Sequence, residues 1–164
     1  MKRGILSLLF LISAHGTSSA QVPEPLPGGL VAAWEKAGAK VGWMRTNQHG
    51  EVAIRLGGTP EPGDLPGFYI EELKKGILEQ LPEPSVPFGL DLQGPHEFES
   101  RRIPAVNDSR LKELARFKNL RALNFFRSAV TDSGMADLAA LKHLEALNLW
   151  DVRVQDRGLR ELAE

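Results

Sequence analysis

The sequence predicts an α/β fold: a short solenoid of stacked strand–helix units, with parallel strands on the concave face and helices on the convex face. Three observations predict it. Laying Leu120–Ala140 over Leu144–Glu164, a shift of 24 residues, gives nine identical pairs out of 21. Each copy opens on alternating apolar residues and closes on apolar residues at i, i+3 spacing, the two periods of strand and helix. The composition, 42% hydrophobic and 25% charged, is that of a chain able to bury a core.

The chain opens on a segment with the features of a secretory signal, expected to span residues 1–20. Lys2 and Arg3 form a positive start, Ile5 to Ile12 an apolar stretch, and Ser18 and Ala20 stand where a signal peptidase reads small residues. The apolar stretch is well short of the ~20 residues a bilayer requires, so no stable membrane insertion is expected. Export to a periplasmic or extracellular location follows, with cleavage near Ala20; an uncleaved anchor is the competing reading. There is no cysteine, so stability must come from the core, and thiol catalysis and cysteine–zinc sites are excluded. A net charge of −1 gives no electrostatic reason to expect a nucleic acid.

Residues 21–29 read as a linker, since V-P-E-P-L-P-G-G from Val22 to Gly29 is extended and helix-poor. Residues 30–51 read as a helix plus hairpin covering the first end of the solenoid. Leu30, Val31, Ala33, Trp34 and Ala37 suit a short helix that Gly38 ends. Val41 and Trp43 alternate with polar or small residues, Asn47 to Gly50 is turn chemistry, and Val52, Ile54 and Leu56 alternate again.

Residues 52–164 read as the repeats. Val106, Asp108, Leu111, Leu114 and Ala115 precede Val130, Asp132, Met135, Leu138 and Ala139 by the same 24 residues. Gly89-Leu90-Asp91-Leu92 matches Ala122-Leu123-Asn124-Phe125 at a distance of 33, with Gln93–Ala105 as the inserted segment. Earlier still, Ala53 to Thr59 has the strand-then-turn pattern, and Phe68 to Gln80 is the expected helix of that first unit. Leu123 and Phe125 share one strand face, and Met135 and Leu138 point inward from the helix. No unit can bury its apolar face alone, so the layers must stack. Asp132 and Asp156 precede the helices and are expected to cap them. Gly134 and Gly158 stand where the chain packs tightly on entering the helix.

The pattern L-x-x-L-x-[LF] at Leu120, Leu123, Phe125 and at Leu144, Leu147, Leu149 resembles the strand half of a leucine-rich repeat. The following V-x-D-x-G-[ML]-x-x-L-A, at Val130–Ala139 and Val154–Ala163, is similar to the helical half of the bacterial 24-residue subclass. The resemblance covers Val106–Glu164 well and Val52–Ala105 less closely. At the turn position that the family fills with a small polar residue, this chain has Thr59 and Ser128, but Pro95 and Val152 elsewhere. Those two turns are expected to be irregular.

The resemblance implies a binding surface on the outward strand positions: Ala122, Asn124 and Phe126, then Ala146, Asn148 and Trp150. Phe126 and Trp150 fall on neighbouring strands about 5 Å apart. Flanked by Arg127 and Asp151, they make a candidate recognition patch of Asn124, Phe126, Arg127, Asn148, Trp150 and Asp151. Cover by a loop or by Gln93–Ala105 is the alternative. Asn124 and Asn148 are expected to form an amide ladder more than to read a partner. His96, Glu97, Glu99, Arg101 and Arg102 in the insertion match no metal-site spacing, and the arginines oppose a cation. Asp108, Asp132 and Asp156 each stand alone, which suits helix capping better than a calcium ladder.

No phosphate loop, G-x-S-x-G or H-E-x-x-H is present. No catalytic residue, metal or cofactor is expected. His49 and His143 lie in a turn and on a repeat surface, and Glu71/Glu72 on a charged helix face. The function expected is therefore a secreted, non-enzymatic module that binds a protein, or a peptide or glycan, through its concave face. The alternative is a structural solenoid that self-associates through its C-terminal edge, where the sequence stops after a repeat helix with no capping unit. An uncharacterised hydrolase is the minor alternative.

Overall fold

The computed structural model describes residues 22–47, 51–93 and 106–162. The signal-like segment, the insertion beyond Gln93 with His96, Glu97, Glu99, Arg101 and Arg102, and His49 lie outside these residues, as do Pro95 and Ala163–Glu164. The fold is α/β. Its elements in chain order are α1 (Gly28–Lys36), β1 (Lys40–Thr46), β2 (Val52–Leu56), β3 (Leu65–Tyr69), α2 (Ile77–Gln80), β4 (Phe88–Asp91), α3 (Asp108–Leu114), β5 (Leu120–Asn124), α4 (Asp132–Leu138), β6 (Ala146–Asn148) and α5 (Asp156–Glu161).

The strands form one mixed sheet in the order β2-β1-β3-β4-β5-β6. β3 through β6 run parallel, while β1 is antiparallel to both β2 and β3. The 24-residue shift is the pairing register of the last two strands: Ala122, Leu123 and Asn124 stand beside Ala146, Leu147 and Asn148. The 33-residue shift holds as well, with Gly89, Leu90 and Asp91 beside Ala122, Leu123 and Asn124. The first unit is placed differently from expectation. Val52–Leu56 belongs to the antiparallel hairpin, and Gly67, Phe68 and Tyr69 of β3 stand beside Gly89, Leu90 and Asp91. Phe68 is thus a strand residue, and the helix after it is confined to Ile77–Gln80.

Side-chain alternation divides the sheet into two faces. On the helix side, Phe68, Leu90 and Leu123 are fully buried with Leu111 and Leu114 of α3 and Met135 and Leu138 of α4. At the other end of this layer, Trp34 of α1 stacks on Phe68 at 4.0 Å and meets Phe88 and Phe117 within 6.3 Å. Its indole N–H donates to the Pro82 carbonyl at 2.9 Å, so the buried ring leaves no unpaired donor. Leu26 also enters this core, and the helix begins at Gly28, so the end of the Pro/Gly stretch packs against the domain and does not run free as a linker.

The opposite face curls over itself. β2 lies across from β5 and β6, and Met44, Val52 and Ala122 form a second buried cluster with Ile54, Leu65 and Ala146. Met44 can lie there because its neighbours are glycines. A Cβ on Gly89 would come 2.3 Å from the Met44 Sδ, and one on Gly67 2.7 Å from its Cγ. The hairpin therefore covers part of the face expected to be open, and Ala122 and Asn124 are buried.

The repeating aspartates do a different job from the one expected. Each is the first residue of its helix, and the cap position belongs to Asn107, Thr131 and Gln155. Asp108 accepts from the Thr131 N–H at 2.8 Å and from its hydroxyl at 2.6 Å. Asp132 accepts from the Gln155 N–H at 2.6 Å. Asp108 and Asp132 so satisfy a backbone donor at the start of the next layer, while the charge of each favours its own helix N-terminus. The glycines two residues further on keep the layers close. A Cβ on Gly158 would sit 2.6 Å from the Asp132 Oδ1 and 2.9 Å from its Cα, and one on Gly134 2.5 Å from Leu111.

The two kinds of helical glycine should respond oppositely to alanine. At Gly29, where a Cβ meets nothing within 4 Å, alanine is expected to stabilise by about 0.4–1 kcal/mol. At Gly158 the steric cost of about 1–3 kcal/mol should exceed the helix-propensity gain of up to ~1. Denaturant midpoints of Gly29→Ala and Gly158→Ala check this, and a stabilised Gly158→Ala would contradict the layer contact.

Candidate functional site

The polar residues of the curled face come from one register row. Lys40 pairs with Tyr69, Tyr69 with Asp91, Asp91 with Asn124, and Asn124 with Asn148. The Asn124 amide donates to the Asp91 carboxylate of the preceding strand at 3.1 Å, and not to Asn148 as the expected amide ladder would have it. In each unit the same residue also closes a turn. Asp91 accepts from the Gln93 N–H at 3.2 Å, Asn124 from Phe126 at 3.0 Å, and Asn148 from Trp150 at 2.9 Å. The short side chain reaching the N–H two residues on is what ends each strand and bends the chain.

That turn positions the aromatic pair. Backbone pairing continues past the strands, with Phe125 N–H on the Asn148 carbonyl at 3.0 Å and Arg127 N–H on the Trp150 carbonyl at 3.2 Å. Phe126 and Trp150 are thereby held one strand spacing apart, and their rings stack at 4.9 Å with planes 20° apart. Arg127 and Asp151 follow in the left-handed backbone region, φ 57° and 58°. Such residues cost of order 1–2 kcal/mol each without a glycine. The Arg127 guanidinium lies 4.9 Å over the Phe126 ring, and its Nε is 3.4 Å from the Asp151 carboxylate. An ion pair this exposed contributes ~0–1 kcal/mol, so its effect is on orientation more than on stability.

The expected patch thus comes together in part as foreseen. Phe126, Arg127, Trp150 and Asp151 form one contiguous group beyond the C-terminal ends of β5 and β6. Asn148 lies at its base half-buried, and Asn124 is buried beneath it. Trp150 is 45% exposed, whereas Phe126 is half-buried. Asp91 was legible as the 33-residue counterpart of Asn124. Tyr69 was not, because Val52–Leu56 had the pattern of the first repeat strand. His143, Glu71 and Glu72 are exposed. Among the described residues no three His, Asp or Glu side chains are grouped to hold a metal, and no helix is long and apolar enough to cross a membrane. Compared with known proteins, the chain matches no family model, no curated protein and no solved structure.

Burial, followed by the carboxylates of Glu71 and Asp91, raises the Tyr69 phenol above its ordinary pKa of 10.0. A group that holds its proton more tightly when folded gives stability that is complete below the unfolded pKa and is lost as pH rises through the folded one. Tyr69 is the only tyrosine of the chain, so tyrosinate absorbance follows it alone. The native midpoint should lie above that in denaturant; coincident midpoints would show that neither burial nor the Glu71 and Asp91 carboxylates act on the ring.

Proposed function

We propose that this chain is an exported, non-enzymatic interaction module of the leucine-rich-repeat kind that binds a protein partner. In this reading β3–β6 with their helices are a short solenoid and the α1–hairpin segment is its cover. What supports it is the recurrence of one set of contacts at a 24-residue interval: strand register, turn-closing asparagine, aspartate to the next layer, and close-packed glycine. The signal-like start at Lys2 to Ala20 supports export. The observation that carries the binding function is the stacked Phe126–Trp150 pair at the strand ends, with the indole exposed. A large aromatic held rigidly at a rim is the kind of side chain that dominates interface energies. The reading places the partner at this rim rather than deep on the concave face, because Met44 and Val52 already cover Ala122 there.

The test is affinity capture from the extracytoplasmic fraction with the mature chain as bait, followed by titration of the captured protein. Phe126→Ala with Trp150→Ala should weaken binding by at least about 2 kcal/mol, roughly 30-fold, with the circular dichroism unchanged. Unaltered affinity would remove the rim from consideration.

A further inference from the structure

We infer that the group received on Trp150 is cationic, the arginine or lysine side chain of a partner peptide segment. This rests on the reading of the Phe126–Trp150 rim as the binding surface. Phe126 occupies one side of the indole at 4.9 Å, yet Trp150 remains 45% exposed. An aromatic face carries negative electrostatic potential and attracts a guanidinium or ammonium that comes within about 6 Å.

The neighbouring ion pair adds the charge. Arg127 and Asp151 are unequally exposed, their side chains 28% and 61% accessible, so the pair turns its carboxylate to solvent and holds its guanidinium back against Phe126. A partner approaching the indole therefore meets an acid beside an aromatic face. The fold already uses this combination once: Arg127 lies over Phe126 and reaches Asp151. A partner arginine on Trp150 repeats that arrangement one ring further along. The next exposed cation in sequence, Arg153, lies beyond the turn in the bridge to Thr131. An anionic ligand would face the Asp151 carboxylate, and a neutral glycan would stack on the indole without gaining from Asp151.

The experiment uses the full chain and a fluorescein-labelled glycine–serine peptide carrying arginines, its citrulline twin, and a labelled neutral chito-oligosaccharide, read by anisotropy. The arginine peptide should bind at least about tenfold tighter than the citrulline peptide, and more weakly as salt rises. Trp150→Ala and Asp151→Asn should each weaken it roughly five- to tenfold, and Trp150→Phe should keep most of the binding, which separates loss of the aromatic face from loss of fold. Equal binding of the citrulline twin, or no effect of Asp151→Asn, overturns the cationic assignment while leaving the rim reading intact. Trp150-dependent binding of the oligosaccharide alone overturns it in favour of a glycan. Full-strength arginine-peptide binding to Trp150→Ala overturns the assignment and removes this peptide as support for the rim. No binding of any probe overturns the assignment, and the partner titration above then judges the rim by itself.

Discussion

Alignment of β4, β5 and β6 to single-residue accuracy underlies the other features of this molecule. Because side chains alternate, a slip of one position would exchange the two faces of a strand. With Leu90, Leu123 and Leu147 abreast, the apolar row meets the helices and the polar row Asp91, Asn124, Asn148 faces the other way. The aspartates and glycines at the helix starts hold the same spacing on the helical side. Asp108 and Asp132 reach one layer on, and Gly134 and Gly158 let the layers approach more closely than any side chain would allow.

The second organising feature is the curl of the sheet. An α1–hairpin segment packed only on the end of the stack would leave Ala122 and Ala146 in water. Instead Met44, Val52 and Ile54 meet them from across the curl, over glycines at positions 67 and 89. The hairpin is stitched to the segment after it. Asp64, buried, takes Arg45 at 2.8 Å and Arg55 at 3.0 Å, and Trp43 donates to the Gly58 carbonyl at 3.0 Å. A buried carboxylate needs such donors, so the stretch between β2 and β3 is tied down rather than loose. With the near part of the face filled, the exposed indole of Trp150 lies at the far rim, where the strands end and the aromatics stack.

Much of this was readable from residues alone. The 24- and 33-residue shifts gave the strand register directly, since equivalent residues of stacked layers stand side by side in the sheet. The placing of Phe126 beside Trp150, with Arg127 and Asp151 flanking them, followed from that register; the ion pair between the two flanking charges came from the structure. The first unit was misread because Val52, Ile54 and Leu56 alternate as any strand does, and alternation carries no information on whether a strand runs parallel or antiparallel. L-P-G-F-Y at Leu65–Tyr69, with a proline and a glycine, looks less like a strand than it is. Helix capping by the aspartates was a local inference, and the contact that won is between layers.

Periodicity by itself determined the α/β class, the inward leucines and the neighbours of each repeat residue, because those depend only on spacing along the chain. Tertiary structure decided which face stayed open, which aspartate answered which N–H, and how exposed each aromatic became. Those outcomes depend on what arrives from distant sequence: β2 across the curl, Met44 above two glycines, and Trp34 against Phe68. A residue's spacing names its row; only the packing of the whole chain settles whether that row meets water.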